Sequence, residues 1–405
     1  MKIAFIVNSF PCVSQTFIFN QVTGLIDLGH RVEIYSTEIG SNHIDKFKNE
    51  IVKYNLLNNT FNIPKNKLYI KIKCLFTIMK KIIIQPATLI QLINVKKYKF
   101  NLLNFIYLYS NLVNKNFDIL HCHFGPNGIR GAILKNLGID GKLVTTFHGY
   151  DANMYPKKYG NNVYKELFTQ CNIFTANTYY TKYQMYKLGC NKKLINILPV
   201  GLNIDKFKYQ EKNINNQERI IFITVGRLVE KKGYDYSIRA FAKLYNENKN
   251  IIYYIVGDGE KKEELYELVD QLKIKNGIKF FGSLDSNNII RLFNKSNIFV
   301  LASVTARGGD KEGQALVLQE AQAVGLPVLS TYHNGIPEGI INGKSGFLVK
   351  EKNINELYER MKFMAKNYKK LKDFGKIGRS LVESRYDIKK LNRELIKIYN
   401  NKLLM

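Results

Sequence analysis

Two glutamates eight residues apart, Glu312 and Glu320, bracket the segment Gly313-Gln314-Ala315-Leu316. On a helix that starts near Gly313, eight residues span about 12 Å at 1.5 Å per residue. A carboxylate accepts hydrogen bonds from hydroxyls, so that reach suits the two hydroxylated ends of one ligand of nucleotide-sugar size. Free N–H groups at the helix start, with no side chain at Gly313 to block approach, make a seat for an anion. Gly325 and Pro327 supply the stop signal. The residues between are mostly apolar (Ala315, Leu316, Leu318, Ala321, Ala323), which leaves Glu320 with little structural use. Upstream, Gly226-Arg227-Leu228 follows an apolar strand, and Lys231-Lys232-Gly233 precedes a helix. Cations placed so can clamp a diphosphate from two sides. Each element alone is weak, since loop cations are usually solvated and glutamate pairs arise by chance. Read as one series, Arg227, Lys232, Glu312 and Glu320 point to a diphosphate held between hydroxylated ends.

Other chemistry is disfavoured. Gly339-Ile-Ile-Asn-Gly343-Lys344-Ser345 is one residue short of a phosphate loop and leads into a strand, so it reads as a turn. No G-x-G-x-x-G opens a helix after a strand, and no D-x-D occurs to hold a metal diphosphate. His121-Cys122-His123 offers possible metal ligands, but neighbours on a strand point to opposite faces. No metal site is expected.

The elements that must position these residues alternate. Strands are expected at Lys2–Val7, Arg31–Tyr35, Ile119–His123, Leu143–Phe147, Ile173–Ala176 and Ile195–Val200, with helices near Thr16–Leu28, Asn127–Leu137 and Thr178–Leu188. Asp205–Glu218 is polar and reads as a linker. A second series follows, with strands at Arg219–Val225, Ile251–Val256, Ile278–Phe281, Ile298–Leu301, Pro327–Ser330 and Gly346–Val349, and a last amphipathic helix near Asp387–Asn401. Short apolar strands alternating with helices predict an α/β fold of two Rossmann-like, doubly wound parallel sheets. Ligands of such sheets sit at the carboxyl ends of the strands, so the site is expected in a central cleft that the two domains face.

With 405 residues, 45% of them hydrophobic, 28 Gly and 8 Pro, the chain is neither collagen-like nor wholly disordered. Cys12, Cys74, Cys122, Cys171 and Cys190 form no C-x-x-C, which fits a reducing cytoplasm better than a disulfide scaffold. The formal net charge is +28, from 61 Lys+Arg against 33 Asp+Glu. Much of this excess is lysine in a chain rich in Asn and Ile, as coding bias would produce. Its distribution is more telling: residues 51–117 hold eleven lysines and no acid, interleaved with Ile, Leu, Phe and Tyr. That pattern suits an anionic membrane surface better than a merely solvated face. No helix-turn-helix, zinc-finger or RNP signature accompanies it, so nucleic acid is not expected as a partner. Lysines also interrupt the greasiest stretch, 70–105, which disfavours a membrane span.

At this point the sequence resembles, over nearly its whole length, the retaining nucleotide-sugar glycosyltransferases of family 4, which have the GT-B fold. The carriers are Glu312 to Glu320, Gly226-Arg227-Leu228 with Lys231-Lys232-Gly233, Val256-Gly257-Asp258-Gly259, Phe281-Gly282-Ser283, Phe147-His148-Gly149-Tyr150-Asp151 and Val200-Gly201-Leu202-Asn203. A narrower likeness, to the colanic-acid and exopolysaccharide branch, rests on Ser9-Phe10-Pro11 with Ser14-Gln15-Thr16-Phe17, His121 to Pro126, Ser303-Val304-Thr305, and Gly309 to Gly313. The resemblance implies that Arg227 and Lys232 hold the donor diphosphate, that Glu312 meets the transferred sugar, and that Glu320 meets the ribose. Gly226, Gly257, Gly282, Gly313, Gln314, Ala315 and Leu316 would line the donor side. His148 would act near the sugar, with Ser14, Gln15, Thr16, His123 and Asp151 on the acceptor side.

It further implies residues 1–204 as acceptor domain, 205–386 as donor domain, and a helix at about 387–405 packing back on the first. The expected partners are a nucleotide-diphosphate-sugar, a lipid-linked saccharide acceptor and an anionic membrane surface, reached from the cytoplasm. No cofactor is implied, because the nucleotide-sugar is a co-substrate. Three departures stand out: Glu312-Gly313-Gln314-Ala315 replaces the common E-G-F-G, the paired glycines of the first loop are missing, and Gln15 replaces a usual Glu. Rival readings are a nucleotide-sugar epimerase or hydrolase on the same fold, and a non-catalytic membrane or polyanion binder.

Overall fold

The computed structural model describes residues 1–12, 15–39, 44–84, 88–211, 219–367 and 371–401. The chain divides into two compact units, the first comprising Met1–Asn177, Thr181–Leu198 and the chain from Asn392, the second Thr178–Tyr180 and Pro199–Leu391. In the first, strands β1 (Lys2–Val7), β2 (Arg31–Ile39), β3 (Thr60–Ile63), β4 (Ile119–His123), β5 (Lys142–Phe147), β6 (Ile173–Ala176) and β7 (Ile195–Ile197) form one parallel sheet in the order β3-β2-β1-β4-β5-β6-β7. The second holds β8 (Ile220–Val225), β9 (Ile251–Val256), β10 (Ile278–Phe280), β11 (Ile298–Leu301), β12 (Val328–Thr331) and β13 (Gly346–Val349), ordered β10-β9-β8-β11-β12-β13. Both are doubly wound sheets, as the alternation predicts. Their central strands are near-continuous apolar runs because helices cover both faces; Ile3 to Val7 are all fully buried. The order reverses between β1 and β4 and between β8 and β11, which is where open α/β sheets bind ligands.

Close packing fixes the elements after these strands. The helix Gly125–Asn136 carries glycines at every third residue, and a Cβ on Gly128 or Gly131 would lie 2.7 Å from Thr145 or 2.6 Å from Leu143. The helix therefore lies directly on β4 and β5. Within residues 205–211, expected as the start of a polar linker, most residues are exposed, but Phe207 is buried and its carbonyl accepts from Arg379 Nη1 at 2.5 Å. The remainder of that linker, 212–218, lies outside the described residues.

The basic stretch holds elements the sequence reading did not place, among them β3, whose four residues sit between asparagines and Pro64 without a periodic run. The helix Lys67–Ile84 follows. Its inner face places Ile70 and Cys74 against Tyr107. Its outer face exposes Leu68, Ile72, Leu75, Phe76, Met79 and Ile83, each at least half accessible, beside exposed Lys71 and Lys80. No helix of the described residues is long and apolar enough to cross a membrane.

Candidate functional site

In the second unit, the four residues predicted to act together sit around the β8–β11 switch point. Arg227 follows β8 and is exposed, with no ion pair among the described residues. Lys232 lies at the end of the 3-10 turn Glu230–Lys232, and its Nζ is 2.6 Å from the Glu312 carboxylate, with both side chains largely buried. Two glycines let the backbones close. Gly233 takes the left-handed conformation at φ 63°, and a Cβ there would lie 1.9 Å from the Ala302 carbonyl; a Cβ on Gly257 (φ 142°) would lie 1.9 Å from that of Gly226. Tyr234 Oη donates to the Gly226 carbonyl at 2.8 Å, and Gly257 N–H donates to the Gly282 carbonyl at 2.8 Å. These contacts draw the turns after β8, β9 and β10 together.

The electrostatics separate the two glutamates. Burial by itself would raise the Glu312 carboxyl, but Lys232 and Lys231 beside it win and hold it at about 2. Burial pushes Glu320 up to about 7, against the weaker pull of Lys232. One carboxylate is thus locked ionised, while the other is poised to exchange a proton near neutrality.

The helix does not begin at Gly313. It spans Leu316–Ala323, behind Ala315 in the left-handed conformation at φ 58° and ψ 62°. The cause is tertiary. Glu312 N–H donates to His333 Nε2 at 2.9 Å, and its carbonyl accepts from Asn334 Nδ2 at 2.8 Å. Gln314 bonds the Val200 backbone twice, accepting from its N–H at 2.6 Å and donating to its carbonyl at 2.8 Å. Groups that would form the first helical turn are engaged elsewhere. Gln314 and Ala315 are each 5% exposed, and Gln314 serves Val200 rather than a sugar. His333 is in turn held by Glu351, at 2.6 Å from Nδ1, and Glu351 accepts from Thr305 N–H at 2.8 Å. His333, Asn334 and Glu351 were missed in the sequence reading. The only available signal was a histidine just beyond a strand's carboxyl end.

In the first unit, His148 follows β5, half-buried between Phe17 and Phe124, with ring centroids 4.7 Å and 4.6 Å away. His123 is 1% exposed and faces His148 Nε2 through Nδ1 at 3.0 Å, so it backs His148 rather than meeting an acceptor. Burial pushes His148 down to about 3 and His123 well below its usual range, leaving both neutral. Asp151 also departs from its expected role. It is fully buried and accepts from the N–H groups of Gly125, His148 and Gly149 at 2.9–3.0 Å, tying two ligand-edge turns together. Burial raises it to about 6 in spite of those bonds. Gln15 and Thr16 open the helix Thr16–Asp27 and are half-buried; Ser14 lies outside the described residues. His121 uses both ring nitrogens, on Tyr399 Oη at 2.6 Å and Thr146 Oγ1 at 2.7 Å. Among the described residues no group of three His, Cys, Asp or Glu could hold a metal ion.

Comparison with known proteins shows the family. Residues 14–206 match the family described as Glycosyltransferase Family 4, and residues 205–381 match Glycosyl transferases group 1. The chain is 31% identical to the putative colanic acid biosynthesis glycosyltransferase WcaL of Escherichia coli K12, over 98% of this chain and 99% of that protein. It is 32% identical to the amylovoran biosynthesis glycosyltransferase AmsK of Erwinia amylovora, over 87% of each. It is 30% identical to an Escherichia coli UDP-Gal:alpha-D-GlcNAc-diphosphoundecaprenol alpha-1,3-galactosyltransferase, over 62% of this chain and 67% of that one. Among solved structures, Anabaena HepE in complex with UDP superposes with a TM-score of 0.73 at 16% identity, covering 98% of this chain and 99% of HepE.

Proposed function

We infer the reaction from one premise: this chain belongs to the family 4 glycosyltransferases, enzymes of the two-domain GT-B fold. It moves a hexose from a nucleotide-diphosphate-sugar to a growing lipid-linked oligosaccharide in surface polysaccharide synthesis, with retention of anomeric configuration. The observation that carries this reading is the Lys232–Glu312 pair with Arg227, which has no ion pair among the described residues, and Glu320 on the following helix. The exopolysaccharide context is supported by the likeness to WcaL and AmsK, and the lipid carrier by the diphosphoundecaprenol acceptor named for the galactosyltransferase.

In this mechanism Arg227 and Lys232 stabilise the negative charge that grows on the departing diphosphate. Lys232 is preorganised by Glu312, which turns its other oxygen toward the sugar. Glu320 accepts from the ribose hydroxyls and ionises as it does so. The acceptor hydroxyl attacks on the face the nucleotide leaves, and the leaving phosphate takes its proton. Arg227, Lys232 and the helix start supply the cationic surroundings, and no metal is required. The outward apolar face of Lys67–Ile84, with Lys71 and Lys80, supports docking from the cytoplasm onto an anionic membrane that carries the acceptor.

A thermal-shift screen of nucleotide-sugars selects the donor. Incubation of that donor with and without a lipid-linked saccharide, followed by NMR of the product anomer, then tests the reading. Acceptor-dependent product with the donor's anomeric configuration is expected. Free sugar or an epimerised nucleotide-sugar, formed equally without acceptor, would replace transfer by hydrolysis or epimerisation.

A further inference from the structure

A cluster of cations in the first unit has no part in the chemistry above. Arg130 projects from the helix Gly125–Asn136 into a cavity of about 210 Å³, lined also by Thr37, Glu38, Lys99, Asn101 and Asn104. Its guanidinium lies 3.9 Å from the centroid of Phe100 and donates through Nη1 to Asn127 Oδ1 at 2.7 Å. Among the described residues its other donors have no acceptor, and no carboxylate lies within ion-pair distance. A largely buried guanidinium without a counter-ion is costly, and burial pushes this one down to about 10 against the opposing pull of Tyr155 and Glu38.

Lys99 also lines a second cavity of about 710 Å³, whose walls include Lys97, Lys158, Lys165, Tyr98 and Tyr159. None of these four lysines has an ion pair among the described residues. The acid in that wall, Glu166, is engaged by Tyr98 Oη and Asn136 Nδ2, each at 3.2 Å. Five cations therefore face two acids, Glu38 and Glu166, across adjoining cavities. Lys99 itself is held in the left-handed conformation at φ 56°, which a glycine would take more cheaply. Thr37 lies near the carboxyl end of β2 and Arg130 on the helix after β4, so Arg130 stands at the ligand-binding edge of this sheet.

We propose that the two cavities that share Lys99, one of them holding Arg130, bind a saccharide bearing a negative charge. The guanidinium fork would take a carboxylate or phosphate, the tyrosine rings would lie against sugar faces, and the asparagines would meet hydroxyls. The proposal rests on the reading of this unit as the acceptor side, and makes the acceptor an acidic glycan.

Calorimetric titration tests it on the full chain without turnover. The probes are tetragalacturonate, its neutral methyl ester and galactose 6-phosphate. The wild type is expected to bind one or both charged probes and not the ester; which one binds separates carboxylate from phosphate. Arg130→Gln should weaken that binding about tenfold or more. Lys99→Gln and Lys158→Gln, at exposed positions, should each weaken it about threefold and decide the matter if Arg130→Gln does not fold. Arg227→Ala should leave it unchanged. Equal binding of the ester, no binding of either charged probe, or loss in Arg227→Ala but not in Arg130→Gln would overturn the proposal. Nucleotide-sugar binding is read separately: a chain that binds acidic saccharide but no nucleotide-sugar keeps this pocket and loses the glycosyltransfer reading.

Discussion

The Glu312 and Glu320 carboxyls are shifted in opposite directions, and this gives stability a signed dependence on pH. Glu312 is held at about 2, below its unfolded value near 4.5. Its contribution is present above pH 4.5 and is lost as the pH falls through about 2. Glu320 stands at about 7, above its unfolded value, so the native state keeps a proton that the unfolded state has released. Stability therefore declines between about pH 4.5 and 7, and the full penalty remains above 7. Glu320→Gln should match the wild type near pH 4 and exceed it above pH 7 by up to about 3 kcal/mol, measured by urea unfolding across the range. No gain at pH 8 would show that burial does not raise the Glu320 carboxyl in the folded protein. The same proton links to function: affinity for the donor sugar nucleotide should rise with pH through about 7 in the wild type and stay flat in Glu320→Gln. For the diphosphate clamp, Arg227→Ala and Lys232→Ala should each lower turnover by about 30- to 1000-fold, since each contact strengthens as the leaving group departs. Lys232→Arg should rescue only in part, because a planar fork does not replace a point charge against Glu312. Near wild-type turnover in both folded alanine variants would remove the assignment.

The short segment before the helix Leu316–Ala323 shows how elements place a residue that no local rule would place. Glu312 is gripped by backbone at both ends, through His333 and Asn334, and His333 is fixed in turn by Glu351. The bond to Glu351 keeps the proton on Nδ1 and leaves Nε2 free to accept. His333→Leu would strand the buried Glu312 N–H, so turnover should drop about tenfold or more while nucleotide affinity changes little. His333→Gln, which can still accept that bond, should recover part of the loss; equal defects in the two variants would mean that only packing matters. The turn before the helix Tyr234–Glu247 depends on Gly233 in another way. An added Cβ meets the Ala302 carbonyl at 1.9 Å at a left-handed φ, so backbone must move. Gly233→Ala should cost about 2 kcal/mol or more and displace Lys232, lowering both melting temperature and turnover.

At the scale of the whole molecule, the charge of +28 is useful only where the fold presents it. Within the basic stretch 51–117, Phe105 is buried in the core and Phe100 packs against Arg130, whereas Phe76 and Ile83 are exposed. Lys73 bonds Asn111 at 2.7 Å and lies over the Tyr107 ring, whereas Lys71 and Lys80 are exposed. Salt-sensitive binding to anionic vesicles, and little to neutral ones, is therefore expected. Phe76→Ser with Ile83→Ser, or Lys71→Gln with Lys80→Gln, should release the protein while sparing turnover on a soluble acceptor; each lysine contributes roughly 1 kcal/mol near the surface. Unchanged vesicle binding in both variants would make the charge compositional. The sequence alone determined the two alternating series, the parallel sheets and the set Arg227, Lys232, Glu312 and Glu320, because apolar period, glycine placement and residue type are local properties. Tertiary structure decided the rest. It moved the helix start to Leu316, turned Gln314 to Val200 and Asp151 to three backbone N–H groups, recruited His333, and exposed the apolar side of Lys67–Ile84. Each of these depends on which distant group supplies a hydrogen-bond partner or a packing face, and chain spacing carries no record of that.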